Sequence, residues 1–256
     1  MNFKNKLILI TGGSSGLGKE LSLLFIKEGA FVALVGRDKE KLLNIEKKYE
    51  DSAKHFIFDL SSYKNFGQIV DDIQIKFKKN IDVIVNAAGI GILGSVKDVP
   101  IEDFNKIINV NFLSPVNIIK ETLKHSNSLK IIINISSGVG YYSLPNSSPY
   151  SSSKSALNAI TESLSLELEK DDIHVYQVNP GLINTNFKKN ITKYGNFKND
   201  YTKGNYSDPK IIAMRLLKDI KRGKKIINYS FRLKIFKIFF SIAPTITVYF
   251  LKKFLI

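Results

Sequence analysis

A glycine-rich turn at Thr11–Gly18 (TGGSSGLG), held between an apolar run and an amphipathic segment, limits this chain more than any other feature. The run before it, Lys6–Thr11 (KLILIT), is short and apolar and stops at glycine, the pattern of a strand buried in a parallel sheet. The segment after it, KELSLLFIKEG, sets Leu21, Leu24 and Phe25 on one helical face and offers Gly29 as a C-cap. Glycines between a strand and a helix let the backbone approach a pyrophosphate. The helix start adds free N–H groups and the positive end of its dipole. A tight turn would need one or two of these glycines in any case; three at this spacing point to a dinucleotide.

The elements that follow alternate. Strands are expected at Ala30–Val35, His55–Phe58, Ile81–Val85, Lys130–Ile135, Ile173–Asn179 and Lys225–Tyr229, and helices at Lys39–Tyr49, Tyr63–Phe77, 101–125 and Asp208–Lys221. Such alternation predicts an α/β fold: a Rossmann-like, doubly wound parallel sheet of about seven strands with helices on both faces. The second strand ends at Gly36 and is followed by Arg37 and Asp38. A carboxylate at this strand end suits a free ribose 2′-hydroxyl, whereas an arginine accommodates a 2′-phosphate. Arg37 therefore favours NADP(H), and the nearby Asp38 keeps NAD(H) open. Asp59, ending the third strand, could bond the adenine amino group. Asn86-Ala87-Ala88-Gly89 supplies small residues where the sheet top would meet a flat cofactor.

Composition removes several chemistries. The 256 residues contain no cysteine, which excludes disulfides, thiolate metal sites and cysteine nucleophiles. His55, His125 and His174 lack metal-ligand spacing and read as structural or surface residues; no metal is expected. The net charge of +15 is spread along the chain without a single basic stripe, so nucleic acid is set aside as a partner. The N-terminus reads as a first strand and not as a signal peptide, which predicts a cytoplasmic protein.

The chemistry is expected between Ser136 and Lys154. Tyr150 and Lys154 stand four apart, and residues at i and i+4 share a helix face. A phenol is a poor base at neutral pH, and a fixed cation beside it favours its anion. Ser137 could hydrogen-bond a substrate oxygen at the same place. Together they form a proton-transfer device for a carbonyl or an alcohol.

Over residues 5–187 the chain resembles the short-chain dehydrogenase/reductase family of the single-domain type. The family's T-G-x-x-x-G-x-G motif appears as Thr11, Gly12, Gly16 and Gly18, and its N-[NA]-A-G motif as Asn86 to Gly89. Its Asn-Ser-Tyr-Lys tetrad falls on Asn111, Ser137, Tyr150 and Lys154, and its P-G-x-x-x-T stretch on Pro180, Gly181 and Thr185. The resemblance implies that Tyr150 is general acid for reduction or base for oxidation, and that Ser137 orients the substrate oxygen. Lys154 would depress the Tyr150 pKa and bind the nicotinamide ribose; Asn111 would hold a water linking Lys154 to solvent. Thr185 would bind the carboxamide. Ser14, Ser15, Leu17, Leu60, Ala87, Ala88 and Ile183 complete the expected cofactor contacts.

The resemblance further implies a lid over about 185–210, where lysines alternate with aromatics, and a homodimer through helices around 103–125 and 150–170. Residues 1–228 are expected to be one domain. Ile90, Ile92, Leu93, Val139, Tyr141, Tyr142 and Leu144 would make an apolar pocket. The tail, 229–256, is aromatic-rich and lacks acidic residues. Its uncharged run, Ile238–Leu251, is shorter than the ~20 residues a spanning helix needs, and Pro244 interrupts it. Flanking Lys and Arg fit peripheral contact with an anionic membrane on its inner face. The expected activity is NADP(H)-dependent reduction of a lipophilic carbonyl. Alcohol oxidation and a non-catalytic, cofactor-binding scaffold are the alternatives.

Overall fold

The computed structural model describes residues 1–62, 64–195, 204, 206–229, 238–240, 242–243 and 245–246. Among these residues the strands are β1 (Leu7–Thr11), β2 (Phe31–Gly36), β3 (Ala53–Ile57), β4 (Val83–Asn86), β5 (Ile92–Leu93), β6 (Ile131–Ile135), β7 (His174–Asn179), β8 (Thr192–Lys193) and β9 (Ile226–Asn228). The helices are α1 (Gly16–Lys27), α2 (Lys39–Lys48), α3 (Phe66–Phe77), α4 (Ile101–Ile108), α5 (Ser114–His125), α6 (Ser148–Glu167) and α7 (Pro209–Lys221). Seven strands form one sheet in the order β3-β2-β1-β4-β6-β7-β9, parallel throughout.

Alternation along the strands builds two cores. Ile8 and Ile10 of β1 face α1, α2 and α7, joining Leu21, Phe25, Leu42, Ile212 and Leu216. Leu7 and Leu9 face the opposite way, toward Val70 and Ile73 of α3, Ile118 of α5 and Leu164 of α6. A strand covered on both faces has no use for polar alternation, which is why KLILIT is apolar without a break. Helix starts follow local chemistry. Asp208 caps α7 by accepting from the Lys210 N–H at 2.7 Å, and Pro209 occupies the first turn, where its missing donor costs nothing.

Two features depart from the sequence reading. The helix expected over 101–125 is divided by a π-helical stretch, Asn109–Leu113, in which the Ser114 N–H reaches back to the Asn109 carbonyl. Pro115 supplies the reason: it has no N–H for the carbonyl of Asn111 four residues back, so the regular ladder cannot continue through it. The second feature is a two-stranded parallel pair of β5 and β8, set apart from the main sheet. The tail expected to meet a membrane and the middle of the expected lid fall largely outside the described residues. Among those described, no helix is long and apolar enough to cross a membrane.

Candidate active site

The sheet order reverses between β1 and β4, whose crossovers lead to opposite halves of the sheet. In open α/β sheets a ligand crevice lies at such a switch point, beyond the carboxyl ends of the strands. Thr11 ends β1 and is paired in register with Asn86, which ends β4. The Thr11 hydroxyl accepts from the N–H groups of Ala87 and Ala88, both at 3.2 Å, tying the two loops together. Gly12 has φ +68°, and a Cβ there would lie 2.9 Å from the Ala88 Cα. At Gly18 a Cβ would fall 2.4 Å from the Gly12 carbonyl oxygen, so α1 can start this close to the turn only with glycine.

Ser15 is the N-cap residue of α1, and its side chain makes no capping bond. The first N–H groups of α1 thus face the crevice without a side-chain partner, as an anion site requires. A cavity of about 300 Å³ opens there, lined by Gly16, Lys19, Glu20, Thr185 and Lys189 among others. Leu17 turns its side chain into the core, which leaves only its backbone for a ligand. Ile183 is likewise packed on that core, and Leu60 is buried with its carbonyl accepting from the Ser114 hydroxyl. Ser14 lies near Gly36, while Pro180 and Gly181 follow the end of β7.

Past β2, Arg37 is exposed. Asp38 instead caps α2: one carboxylate oxygen accepts from the Lys41 N–H at 3.1 Å and the other from the Lys41 ammonium at 2.5 Å. Those bonds hold its carboxyl below the usual range. Asp59 accepts from the Ser61 N–H at 3.0 Å and hydroxyl at 2.9 Å. Its pKa is lowered first by the backbone bond, with smaller contributions from the charges of Arg37 and Lys106.

The second half of the crevice is built by β6 and α6. Ser137 leaves β6 and caps a short 3-10 turn, accepting from the Val139 N–H at 3.4 Å. Tyr150 and Lys154 lie one turn apart on α6. Burial pushes the Tyr150 phenol up to about 12, and a hydrogen bond with Ser137 works weakly the other way. Lys154 is only 4% exposed, and burial pushes it down to about 8. Its ammonium donates to the Ile135 carbonyl at 3.0 Å. The phenol is therefore raised, not depressed as the i, i+4 lysine suggested, because desolvation outweighs the hydrogen bond with Ser137.

Asn111, fully buried in the π-helical stretch, uses its side chain as a clasp. Its Oδ1 accepts from the Ile90 N–H at 2.9 Å, and its Nδ2 donates to the Ile90 carbonyl and the Ser153 hydroxyl, both at 3.0 Å. Ser153 in turn donates to the Tyr150 carbonyl at 2.8 Å. Gly89 lies against the same group: a Cβ there would be 3.2 Å from Asn111 Oδ1 and 3.7 Å from the Lys154 ammonium. Asn86 is also engaged structurally. It donates to Asn134 at 2.8 Å, and Asn134 donates to Thr161 on α6 at 2.9 Å.

Ser153, Asn134 and Thr161 belong to no motif that singles them out, whereas Phe187 is one of the aromatics of the expected lid. Asn134, alone among isoleucines in KIIINI, was the one available signal. Part of the expected pocket wall lies elsewhere. Ile92 and Leu93 are buried in β5, and Tyr141 turns its hydroxyl to β7, accepting from Gln177 at 2.7 Å and Asn179 at 3.1 Å. Ile90, Val139, Tyr142 and Leu144 remain half-buried. The histidines lie in other pairings: His55 with Glu46, His125 with Asp71 and Glu121, His174 with Asp172.

The family model described as short chain dehydrogenase matches residues 6–195. A dehydrogenase/reductase SDR family member 7B from Danio rerio is 31% identical over 241 residues, covering 88% of this chain and 77% of that protein. A short-chain dehydrogenase structure from Streptomyces avermitilis superposes with a TM-score of 0.84 at 22% identity, covering 99% of this chain and 98% of that one. A Sphingobium yanoikuyae short-chain dehydrogenase in complex with NADPH gives 0.74 at 22% identity, covering 87% of each chain. A 3-ketoacyl-(acyl-carrier-protein) reductase from Brucella melitensis complexed with NADH gives 0.75 at 24% identity, with 85% and 91% covered.

Proposed function

Because this chain belongs to the short-chain dehydrogenase/reductase family, whose members are NAD(P)-dependent oxidoreductases, we propose that it reduces a lipophilic carbonyl with NADPH, Tyr150 serving as general acid. The observation that carries this reading is the half-buried Tyr150 phenol beside Ser137, with the buried Lys154 one turn further on α6 and the uncapped start of α1 across the crevice. A phenol, at its ordinary value of about 10 or raised by burial, holds its proton at neutral pH, the state that carbonyl reduction needs.

Bound nicotinamide would supply the hydride. The chain's residues would do the rest. The N–H groups at Ser15–Leu17 and the Gly12–Gly18 turn would hold the pyrophosphate, with Thr185 at the carboxamide and Asp59 at the adenine. Ser137 would donate to the substrate oxygen while Tyr150 transfers its proton to it. Lys154 would bind the ribose hydroxyls, and Asn111, clasped to Ile90 and Ser153, would keep the Asn86–Gly89 loop in register with α6. Arg37 supports NADPH over NADH, since the Asp38 carboxylate that would select a free 2′-hydroxyl is already bonded to Lys41.

In this reading residues 1–228 form the catalytic domain and pair as a homodimer through 103–125 and 150–170. The tail, 229–256, meets an anionic membrane at its inner face; the exposure of Ile238, Phe239, Ile242 and Ile246 supports that contact. The test is NADPH oxidation in liposomes across long-chain 3-oxoacyl thioesters, keto-lipids and steroid ketones, with NADH and Tyr150→Phe as controls. Turnover that the substitution removes supports the reductase. Tight NADPH binding with no turnover on any carbonyl would sink it.

A further inference from the structure

We infer that Phe187 roofs the reacting centre and decides which carbonyl substituents fit beside Tyr150, and that a strap fastened to α4 holds Phe187 in place. The inference rests on the reductase reading. The Phe187 ring centroid lies 5.8 Å from that of Tyr150, with the planes at 47°. Its N–H bonds the Thr185 hydroxyl at 3.3 Å, which sets where the ring leaves the chain. Beneath it lies Gly91, where a Cβ would approach Phe187 to 3.1 Å and Ile191 to 2.8 Å. The bare backbone at Gly91 leaves room for both side chains, and Phe187 settles against the Tyr150 ring.

The strap continues from there. Thr192 and Lys193 pair in parallel with Ile92 and Leu93, through bonds from the Thr192 N–H to the Gly91 carbonyl at 3.0 Å and from the Tyr194 N–H to the Leu93 carbonyl at 2.8 Å. A two-residue pair is weak on its own. Tyr194 strengthens it by packing on the buried cluster of Ile92, Val99 and Ile107, and its hydroxyl donates to the Asp103 carboxylate of α4 at 2.5 Å. Phe187 is thus held from both sides, by Thr185 and by the β5–β8 pair with its Tyr194 fastening.

The consequence concerns substrate shape. A carbonyl oxygen reaching Tyr150 brings its substituents under a flat apolar ring. Flat or unbranched apolar groups fit beside that ring, whereas bulky ones collide with it. Tyr194 and Asp103 touch no reacting atom and act as positioning residues.

The experiment compares acetophenone with benzophenone as NADPH-dependent substrates, using the full chain. Phe187→Ala should raise the benzophenone-to-acetophenone ratio of kcat/KM roughly tenfold or more, and Phe187→Trp should lower it, with NADPH binding by fluorescence titration unchanged in both. An unmoved ratio in both variants overturns the roof. Tyr194→Phe should speed hydrogen exchange at the Thr192 and Tyr194 amides roughly tenfold while global melting stays put; unchanged exchange overturns the strap. Silence of the wild type on both ketones and on the lipid panel would sink the reductase reading and the selectivity role with it. The exchange measurement would still decide the strap.

Discussion

Lys154 points a buried ammonium at the backbone carbonyl of Ile135, 3.0 Å away, at the point where β6 hands the chain to Ser136 and Ser137. One bond to a neutral acceptor does not replace the water that the ammonium has lost, and its pKa falls to about 8. Between about pH 8 and the ordinary lysine value of 10.5 the unfolded chain carries a proton here that the native state does not. Stability contributed by this site therefore rises with pH through that window. Lys154→Met should melt no lower than the wild type at pH 7, because it removes a burial cost of up to roughly 3 kcal/mol. The advantage should vanish above about pH 10, and turnover should be lost at every pH. Melting curves across pH measure this; a variant markedly less stable at pH 7 would contradict it.

The clasp around Asn111 gives a second expectation. Ser153→Ala removes the acceptor of the Asn111 Nδ2 bond and the donor to the Tyr150 carbonyl. Buried polar groups that lose a partner cost about 1–3 kcal/mol. Denaturant midpoints should fall accordingly, and kcat should drop more than cofactor affinity, since the clasp aligns α6 with the Asn86–Gly89 loop while the glycine turn stays in place.

At Gly18 the obstacle is backbone. A Cβ would sit 2.4 Å from the Gly12 carbonyl oxygen, which no side-chain rotation can relieve. Gly18→Ala should push α1 away from the turn and weaken NADPH binding by about tenfold or more. Isothermal titration reads this directly, and an unchanged Kd would show that the turn adapts.

Arg37 and Asp38 make a matched pair for cofactor choice. Arg37→Ala should raise the Kd for NADPH by roughly 10- to 100-fold, the worth of a charge-assisted contact to phosphate, and leave NADH binding nearly unaltered. Asp38→Ala should instead loosen the start of α2, because its carboxylate caps that helix. If the two cofactors respond alike to Arg37→Ala, the 2′-phosphate is not read there.

Much of this arrangement was legible along the chain because it depends on short-range rules. Strand positions followed from apolar runs that both sheet faces bury, and the glycine turn from its place between β1 and α1. Tyr150 and Lys154 share a helix face by spacing alone. Pro115 could have announced the break in the 101–125 helix, since a missing donor is a property of the residue and not of its neighbours.

What tertiary structure alone decided is the state and company of those groups. Spacing put a cation near a phenol and suggested a depressed pKa; burial, which depends on everything packed around α6, raises the phenol and lowers the lysine instead. Asn86 and Asn111 read as site residues by motif, yet their bonds to Asn134, Ile90 and Ser153 join segments that are 21 to 48 positions apart. Phe187 meets Tyr150 through tertiary placement alone, close to Gly91 and the β5–β8 pair. The sequence by itself determined the fold class, the glycine turn and the placing of Tyr150 and Lys154 on one helix face, because local spacing and hydrophobic period encode them. Solvation, hydrogen-bond partners and the roof over the site waited for the fold, because they arise where distant segments exclude water together.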